Sequence, residues 1–185
     1  TRTVTSPSGE TFECKIDLFD AEKHVFPYKN AHFSTVLCCE VIEHLTADPM
    51  HLMAEVNRIL KPGGHLVLTT PNIAALRGVA AILEGYHPGF FHAYIRPPED
   101  DKPPDARHNR EYAPREVQWL LEAAGFEVAR LETGPFREEP RPEYEWVLHL
   151  LERYHLPVTL RGDGIYAVGR KTGPVRERYP SWLYG

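Results

Sequence analysis

The residues best suited to chemistry are two carboxylates and two imidazoles, at Glu40, Glu43, His44 and His108. If Glu40 opens a short helix, the first three share one face, because residues three and four apart are neighbours on a helix. An imidazole titrates near neutral pH, so His44 or His108 would suit a general base. The alternative is structural, with a buried His44 that caps backbone groups.

A strand–helix–strand unit is predicted to position the first three of these residues. Residues 35–39 are a short apolar run, which predicts a strand covered on both faces of a parallel sheet. Asp48 and Pro49 predict a helix start, with a side-chain cap and a proline at the first helical position. Residues 61–64 end that helix with a cation, a proline and two glycines, and residues 65–70 are the next strand.

Further elements follow along the chain. Residues 72–84, 114–124 and 143–154 predict helices, the last with Val147, Leu148, Leu150 and Leu151 facing inward. Residues 126–133 and 164–170 predict strands.

Composition narrows the class of protein. The chain has 185 residues, 42% hydrophobic and 25% charged, which fits one globular domain with a real core. A net charge of −5 argues against a nucleic-acid-binding surface, because phosphate contacts need a basic patch. No apolar run approaches the roughly 20 residues that span a bilayer, and no signal peptide pattern opens the chain. Cys14, Cys38 and Cys39 lack CxxC spacing, so we expect a cytoplasmic protein with reduced, buried thiols.

Several motifs in sequence order carry a family resemblance. EVIEHL, LKPGG and LVLTTPN, followed by YAPREVQWLLEAAGFEV, resemble the class I S-adenosylmethionine (SAM)-dependent methyltransferases. The resemblance implies an α/β, Rossmann-like open sheet with helices on both faces, in which the last strand, residues 164–170, runs antiparallel. It also implies transfer of a methyl group from SAM, and the style of the sequence is typical of bacterial members.

The resemblance implies two sets of cofactor contacts. In the family an acidic residue at the end of the third sheet strand lies beside the adenine of SAM, and Asp17 is the matching position. Its carboxylate would accept from the exocyclic amine while the Leu18 backbone N–H donates to the ring. The alternative is an ordinary turn residue, and Asp20 or Glu22 could take the position after a register shift. Relatives also place backbone contacts to the methionine part of SAM at residues 38–40, which are Cys38, Cys39 and Glu40.

The resemblance leaves metal dependence open. A subset of methyltransferases uses E-x-x-E-H and a later histidine to hold a divalent metal beside the acceptor oxygen, and His108 is the matching later histidine. Carboxylate and imidazole ligands suit such an ion, which would lower the pKa of an acceptor hydroxyl. Other relatives with the motif bind no metal. We therefore assign Glu43, His44 and His108 to catalysis and commit no residue to a metal.

One family signature is not found. The glycine-rich D-x-G-x-G-x-G turn, which lets the backbone approach the cofactor, does not precede Asp17. Residues 1–185 are accordingly expected to form a single, N-terminally truncated domain, equivalent to the last two-thirds of the family fold. A fragment of a longer enzyme is preferred over a remnant that no longer binds SAM. The truncated sheet would expose an unpaired edge, so pairing between copies is a further hypothesis.

These observations predict the following activity and partners. We expect methyl transfer from SAM to an oxygen or nitrogen of a small-molecule acceptor, with residues 86–110 as a lid or flexible loop. No nucleic acid or membrane partner is expected. The second hypothesis is a non-catalytic methyltransferase-like module that binds a partner or forms oligomers.

Overall fold

The computed structural model describes residues 1–90, 107–135 and 142–185. In those ranges the strands are β1 (Arg2–Thr5), β2 (Thr11–Cys14), β3 (Phe33–Cys39), β4 (Leu60–Pro71), β5 (Phe126–Gly134) and β6 (Gly164–Lys171). The α-helices are α1 (Pro49–Ile59), α2 (Leu76–Leu83), α3 (Pro114–Ala123), α4 (Glu145–Arg153) and α5 (Ser181–Tyr184). Short 3-10 helices lie at Ile42–His44 and Pro142–Tyr144. Within the same ranges, no helix combines the length and the apolar character needed to cross a membrane.

Four of these strands form one mixed sheet in the order β3–β4–β6–β5. β3 and β4 are parallel and α1 connects them, which confirms the predicted strand–helix–strand unit. β6 lies between β4 and β5 and is antiparallel to both, as expected for the last strand. The fold is therefore the α/β, Rossmann-like open sheet that the sequence predicts.

The predicted start of α1 is confirmed, and the end of the chain packs against it. The Asp48 carboxylate accepts from the His51 backbone N–H at 3.0 Å, which caps the helix. Arg178 donates to both carboxylate oxygens of Asp48 at 2.9 and 2.6 Å, and the Tyr184 hydroxyl donates to one of them at 2.5 Å. The Arg178 guanidinium lowers the pKa of Asp48 to about 2. The last residues thus stabilise the N-terminus of α1.

One apolar core holds α1 and α3 against a single face of the sheet. Its fully buried members include Met53, Leu66, Leu68, Leu120, Leu121 and Ile165. A second, smaller cluster joins α2 to α4 through Ala80, Val147 and Leu151. Of the four positions predicted to face inward in α4, Val147 and Leu151 are buried, whereas Leu148 and Leu150 are partly exposed.

The prediction that β3 is covered on both faces is wrong. Cys38 is its one buried residue, and the Leu37 side chain on the opposite face is 69% exposed. The reason is position: β3 is the edge strand of the sheet, so it pairs only with β4 among the described residues. Its outer edge presents backbone groups that a neighbouring strand could pair with.

The setting predicted for Asp17 also needs correction. β1 and β2 pair with each other in an antiparallel hairpin, with Arg2 opposite Cys14, and this hairpin is separate from the main sheet. Asp17 therefore does not end a strand of the main sheet, and it lies three residues beyond β2. Every residue of the hairpin strands is exposed, so no buried face fixes their register against β3.

The N-terminal end of α2 lies later than predicted. The helix begins at Leu76 rather than Asn72 because Asn72 is engaged elsewhere. Its backbone N–H donates to the Asp163 carbonyl at 2.8 Å, and its side chain accepts from the Ala74 N–H at 2.9 Å. The expectation of buried thiols holds for Cys38 alone, because Cys14 and Cys39 are exposed.

Candidate active site

The polar cluster forms directly after β3, where the chain turns into the 3-10 helix Ile42–His44. Ile42 and Glu43 are both fully buried, and Ile42 anchors this turn in the main core. The site therefore lies at the carboxyl end of a parallel strand, where open α/β sheets bind their ligands.

Glu43 is a buried carboxyl group with one oxygen engaged and one not. Its Oε2 accepts from the Thr70 hydroxyl of β4 at 2.9 Å. Its Oε1 is buried and has no hydrogen-bond partner in the part of the chain that the structure describes. Burial raises the pKa of the Glu43 carboxyl. A buried polar atom without a hydrogen-bond partner lowers the stability of the folded chain. Oε1 therefore either carries this cost or serves to bind a ligand.

Backbone contacts to the same 3-10 helix bring His108 to the cluster. The N–H groups of Asn109 and Arg110 both donate to the Glu43 carbonyl, at 2.7 and 3.2 Å. The Asn109 side-chain amide donates to the His44 carbonyl at 2.7 Å. The segment that follows His108 is thereby fixed on Glu43 and His44 across more than sixty positions of sequence.

The two imidazoles approach each other and Glu43 from different sides. The rings of His44 and His108 are edge to face, with 5.0 Å between centroids. The Nδ1 of His44 contacts the Arg107 carbonyl oxygen at 3.0 Å, and its Nε2 lies 3.8 Å from Glu43 Oε1. The Nδ1 of His108 contacts Glu111 Oε1 at 2.9 Å, with both side chains almost fully buried. All three residues assigned to catalysis are thus brought together.

These three side chains also have the geometry of a partial cation site. One ligand atom each from Glu43, His44 and His108 can be chosen so that all lie within 4.8 Å of one another. The unpartnered Glu43 Oε1 is the best evidence that the donor set fits a divalent ion. The contacts of both Nδ1 atoms fit as well, because metal-binding histidines commonly use their second nitrogen to contact a carboxylate or a carbonyl.

Glu40 does not join this cluster. The helix starts at Ile42, so Glu40 does not share a helical face with Glu43 and His44. Glu40 instead has a left-handed backbone with φ of 53°, and its exposed side chain accepts from the Thr69 hydroxyl at 2.7 Å. Its N–H donates to the Thr69 carbonyl, which ties the end of β3 to β4.

The predicted adenine-contacting residues lie on a more open part of the surface. The Asp17 carboxylate accepts from the Tyr28 hydroxyl at 3.1 Å and lies 3.4 Å from the Lys15 ammonium. The Leu18 side chain is 93% exposed. Asp20 and Glu22 are engaged elsewhere: Asp20 accepts from the Glu22 N–H, and Glu22 accepts from three successive N–H groups at Thr46, Ala47 and Asp48.

The two cysteines at the end of β3 differ in environment. Cys38 points into the core, and burial, followed by the nearby Cys39 and Glu43, raises the pKa of its thiol to about 12. Cys39 is exposed next to Glu40. The side chains of Cys39 and Glu40 thus face the open surface beyond the carboxyl end of β3, whereas that of Cys38 does not.

An apolar groove of about 360 Å³ runs along β3. Aromatic side chains form much of its wall, and they are Phe19, Phe26, Tyr28 and Phe33. Leu37 and Val41 extend the wall toward the 3-10 helix. The proposed lid, residues 86–110, lies largely outside the described residues.

Glu111 and Thr70 are polar partners of the cluster that motif reasoning missed. Thr70 lies within LVLTTPN. Because side chains alternate between the two faces of β4, Thr70 lies on the same face as the buried Leu66 and Leu68, and a buried side chain is predicted. Glu111 lies three residues after His108. This spacing predicts a contact only if the position of His108 in the site is already known.

Comparison with known proteins adds a family and a relative. Residues 8–131 match the model of a family described as "Methyltransferase domain". A protein of Mycolicibacterium smegmatis named "Probable S-adenosylmethionine-dependent methyltransferase" is 31% identical over 114 residues, which are 62% of this chain and 36% of that protein. The chain thus spans little more than a third of this curated relative.

The chain shares its fold with solved structures of SAM-dependent methyltransferases. A SAM-dependent methyltransferase from Archaeoglobus fulgidus aligns over 83% of this chain and 66% of its own, with a TM-score of 0.52 and 17% identity. A SAM-dependent methyltransferase from Methanosarcina mazei aligns over 84% of this chain and 66% of its own, with a TM-score of 0.50 and 13% identity. At these identities the likeness concerns the fold alone.

Proposed function

Because this chain belongs to the methyltransferase domain family, we propose that it serves the transfer of a methyl group from SAM to an oxygen or nitrogen of a small-molecule acceptor. The observation that carries the proposal is the buried Glu43 carboxyl, whose unpartnered Oε1 faces the His44 imidazole at 3.8 Å. A cluster of this kind at the carboxyl end of a parallel strand suits the acceptor side of the reaction.

The proposed roles follow from the chemistry of methyl transfer. When the acceptor heteroatom attacks the methyl carbon, its proton passes to His44 or His108, and the electron pair of the methyl–sulfur bond stays on sulfur. Glu43 orients the acceptor and stabilises the imidazolium that forms. Most of the rate comes from holding the acceptor in line with the methyl group, with proton removal as a second contribution.

The cofactor side of the proposal uses the segment that carries Asp17 and the carboxyl end of β3. Asp17 would accept from the exocyclic amine of adenine, and the Leu18 N–H would donate to the ring. The backbone of Cys38, Cys39 and Glu40 would contact the methionine part of SAM. Asp17 lies beside Tyr28, an aromatic wall residue of the groove, which supports this placement.

A divalent ion is compatible with the same donor set. Glu43, His44 and His108 are the residues that would hold it, and the bound ion would lower the pKa of an acceptor hydroxyl. Imidazole and carboxylate donors together suit ions such as Mg²⁺, Mn²⁺ or Zn²⁺ to different extents. The proposal does not require the ion, because either imidazole can accept the proton alone.

The experiment that tests the proposal is calorimetric titration with the product S-adenosylhomocysteine, with and without added Mg²⁺. We expect saturable micromolar binding. Replacing Asp17 by Ala should weaken it about fivefold, since one hydrogen bond contributes roughly 1 kcal/mol. Replacing the exposed Glu13 on β2 is the matched control and should leave affinity unchanged. No binding by a folded chain would reject a working cofactor site in this chain.

The competing function is a non-catalytic module that binds a partner or another copy. The exposed outer edge of β3, with Leu37 69% exposed, is the observation that favours it. Sedimentation separates the two hypotheses together with the titration. A stable oligomer that ignores S-adenosylhomocysteine supports the module, whereas a monomer that binds it supports the enzyme. An upstream reading frame that encodes a strand and D-x-G-x-G would also count against the module.

A further inference from the structure

We propose that Glu111 is a positioning residue that holds His108 in the tautomer protonated at Nδ1. The inference rests on the proposed function, in which His108 is a proton acceptor on the acceptor side. Glu111 is outside every motif that carries the family resemblance to the cofactor site. Among the described residues, its contact with the cluster is the one to His108. Its role would therefore be indirect, through the orientation and the proton of the imidazole.

The direction of the hydrogen bond follows from the partners. Glu111 Oε1 lies 2.9 Å from His108 Nδ1, and an ionised carboxylate can only accept. Nδ1 must then carry the proton, and the lone pair of the neutral ring lies on Nε2. The Glu111 and His108 side chains are 3% and 8% exposed, so water does not compete strongly for this bond.

The carboxylate is itself held in place by other groups. The Phe90 N–H donates to the same Oε1 at 2.5 Å. The Arg77 guanidinium lies 3.9 Å from Oε2, and its central carbon stacks 3.4 Å above the Phe90 ring. Arg77 also donates to the Pro88 carbonyl at 2.6 Å. Because Oε1 accepts from the Phe90 N–H, the same oxygen also serves as the acceptor for His108 Nδ1.

His44 has the same tautomer for an independent reason. Its Nδ1 lies 3.0 Å from the Arg107 carbonyl oxygen, and a carbonyl oxygen can only accept. Both imidazoles therefore use Nδ1 to bind the protein and keep the lone pair on Nε2. The Nε2 of His44 is also the atom 3.8 Å from Glu43 Oε1, so its basic nitrogen is turned toward the buried carboxyl. A matched pair of tautomers is what a proton-accepting or cation-binding pair requires.

The alternative to control of the His108 tautomer is a purely structural role for Glu111. In that role, its hydrogen bond from the Phe90 N–H would serve only to hold the backbone at Phe90 against Glu111. Replacement of Glu111 by Gln preserves an acceptor oxygen for both bonds, whereas replacement by Ala removes both. A merely structural role would affect stability without changing the protonated nitrogen of His108.

The experiment is long-range ¹H–¹⁵N correlation NMR of the full chain with ¹⁵N-labelled histidine, after treatment with a chelator. The pH should be about two units above the ordinary histidine pKa of about 6.5, so that neutral rings are compared. A His108→Gln sample assigns the His108 signals among the ten histidines. We expect a pyrrole-type Nδ1 and a pyridine-type Nε2 for His108 in the wild-type chain and in Glu111→Gln.

In Glu111→Ala we expect the two nitrogen types of His108 to exchange or average, while His44 stays unchanged as the internal control. Glu122→Ala on α3 is the matched external control, because Glu122 contacts Gln118 rather than either histidine. A wild-type His108 protonated at Nε2 would overturn the proposal even if Glu111→Ala fails to fold. So would an unchanged tautomer in a folded Glu111→Ala chain. Titration of the same samples with S-adenosylhomocysteine reports separately on the proposed function, because cofactor binding does not depend on this tautomer.

Discussion

Ile42 and Leu18 are aliphatic residues that each adjoin a proposed site residue, Glu43 in the first case and Asp17 in the second. Ile42 is fully buried in the main core, whereas Leu18 is 93% exposed. The acceptor side of the proposed site is therefore supported by the packed interior of the chain. The cofactor side is carried by an irregular segment that lies on the surface.

The contacts that hold each side differ in the same way. Glu43 is fixed by its own burial, by the Thr70 hydroxyl and by the backbone of Asn109. The segment that carries Asp17 is fixed on the rest of the chain by Glu22, whose carboxylate accepts from the N–H groups that precede α1. It is also held by the contact of the His24 carbonyl with His51 Nε2 and by the partial burial of Phe19 against the core. An acceptor site can thus be preorganised in this chain, while the cofactor contacts depend on a segment, residues 17–25, in which no residue is fully buried.

The largest expected effect is a difference between two matched truncations. Ile42→Ala should lower the free energy of unfolding by about 2–4 kcal/mol, because it leaves a cavity in the core. Leu18→Ala should change it by less than about 0.5 kcal/mol, because the side chain is already in water. Urea unfolding followed by circular dichroism measures both. Equal losses would mean that the two sides are supported alike.

The same contrast explains which features could be predicted from the sequence. The start of α1 was predictable because Asp48 and Pro49 act within a single turn. The helix α3 followed from a motif whose apolar residues are buried in the core, whereas the antiparallel direction of β6 followed from the family resemblance. By contrast, the separation of the β1–β2 hairpin from the main sheet was not predictable, since exposed strands carry no inward face that specifies a partner.

The site shows the same division. Grouping Glu43 with His44 needed only local sequence, and their grouping with His108 needed the family resemblance. Glu40 was misplaced because its left-handed backbone delays the helix until Ile42, and nothing in its side chain demands that conformation. Glu111 was missed because its role depends on a contact that exists only after the chain folds.

The next expected effect is a gain in stability on the acceptor side. Because burial raises the folded-state pKa of Glu43 above the ordinary value, its contribution is fully present below that value and is lost as pH rises through the folded pKa. Glu43→Gln should therefore raise the free energy of unfolding at neutral pH by about 1–2 kcal/mol. The amide can still accept from Thr70 and can donate toward His44 Nε2.

Chemical denaturation at a series of pH values checks this sign. The advantage of Glu43→Gln should shrink toward acid, where the wild-type carboxyl is also neutral. Glu127→Gln on the exposed part of β5 is the control and should show no such trend. A variant that is less stable at neutral pH would indicate that the Glu43 carboxylate is held by favourable contacts rather than at a cost.

An effect of similar size and opposite sign is expected from loosening the cofactor side. Burial acts to raise the pKa of Glu22, but hydrogen bonds from Thr46, Ala47 and Asp48 outweigh it and lower the pKa overall. The stabilisation is therefore present above the ordinary glutamate pKa and is lost as pH falls. Glu22→Ala should cost about 1–2 kcal/mol and speed hydrogen exchange in residues 19–26. Slow exchange there in Glu22→Ala would show that other contacts hold the segment. The stability and the exchange rates of Glu22→Gln should lie between those of the wild-type chain and Glu22→Ala.

The smallest expected effect is a change in thiol reactivity that locates the cofactor side. A maleimide reagent should label Cys14 and Cys39 in the folded chain and leave Cys38 unlabelled until unfolding, because Cys38 is buried and burial raises the pKa of its thiol to about 12. If the end of β3 contacts the methionine part of the cofactor, saturating S-adenosylhomocysteine should slow the labelling of Cys39 several-fold. Cys14 is the internal control, since it lies in the separate hairpin, and its rate should not change. Mass spectrometry of the labelled peptides gives both rates in one sample. Equal protection of the two thiols would point to a general tightening of the chain, and protection of neither, despite measured binding, would place the cofactor away from β3.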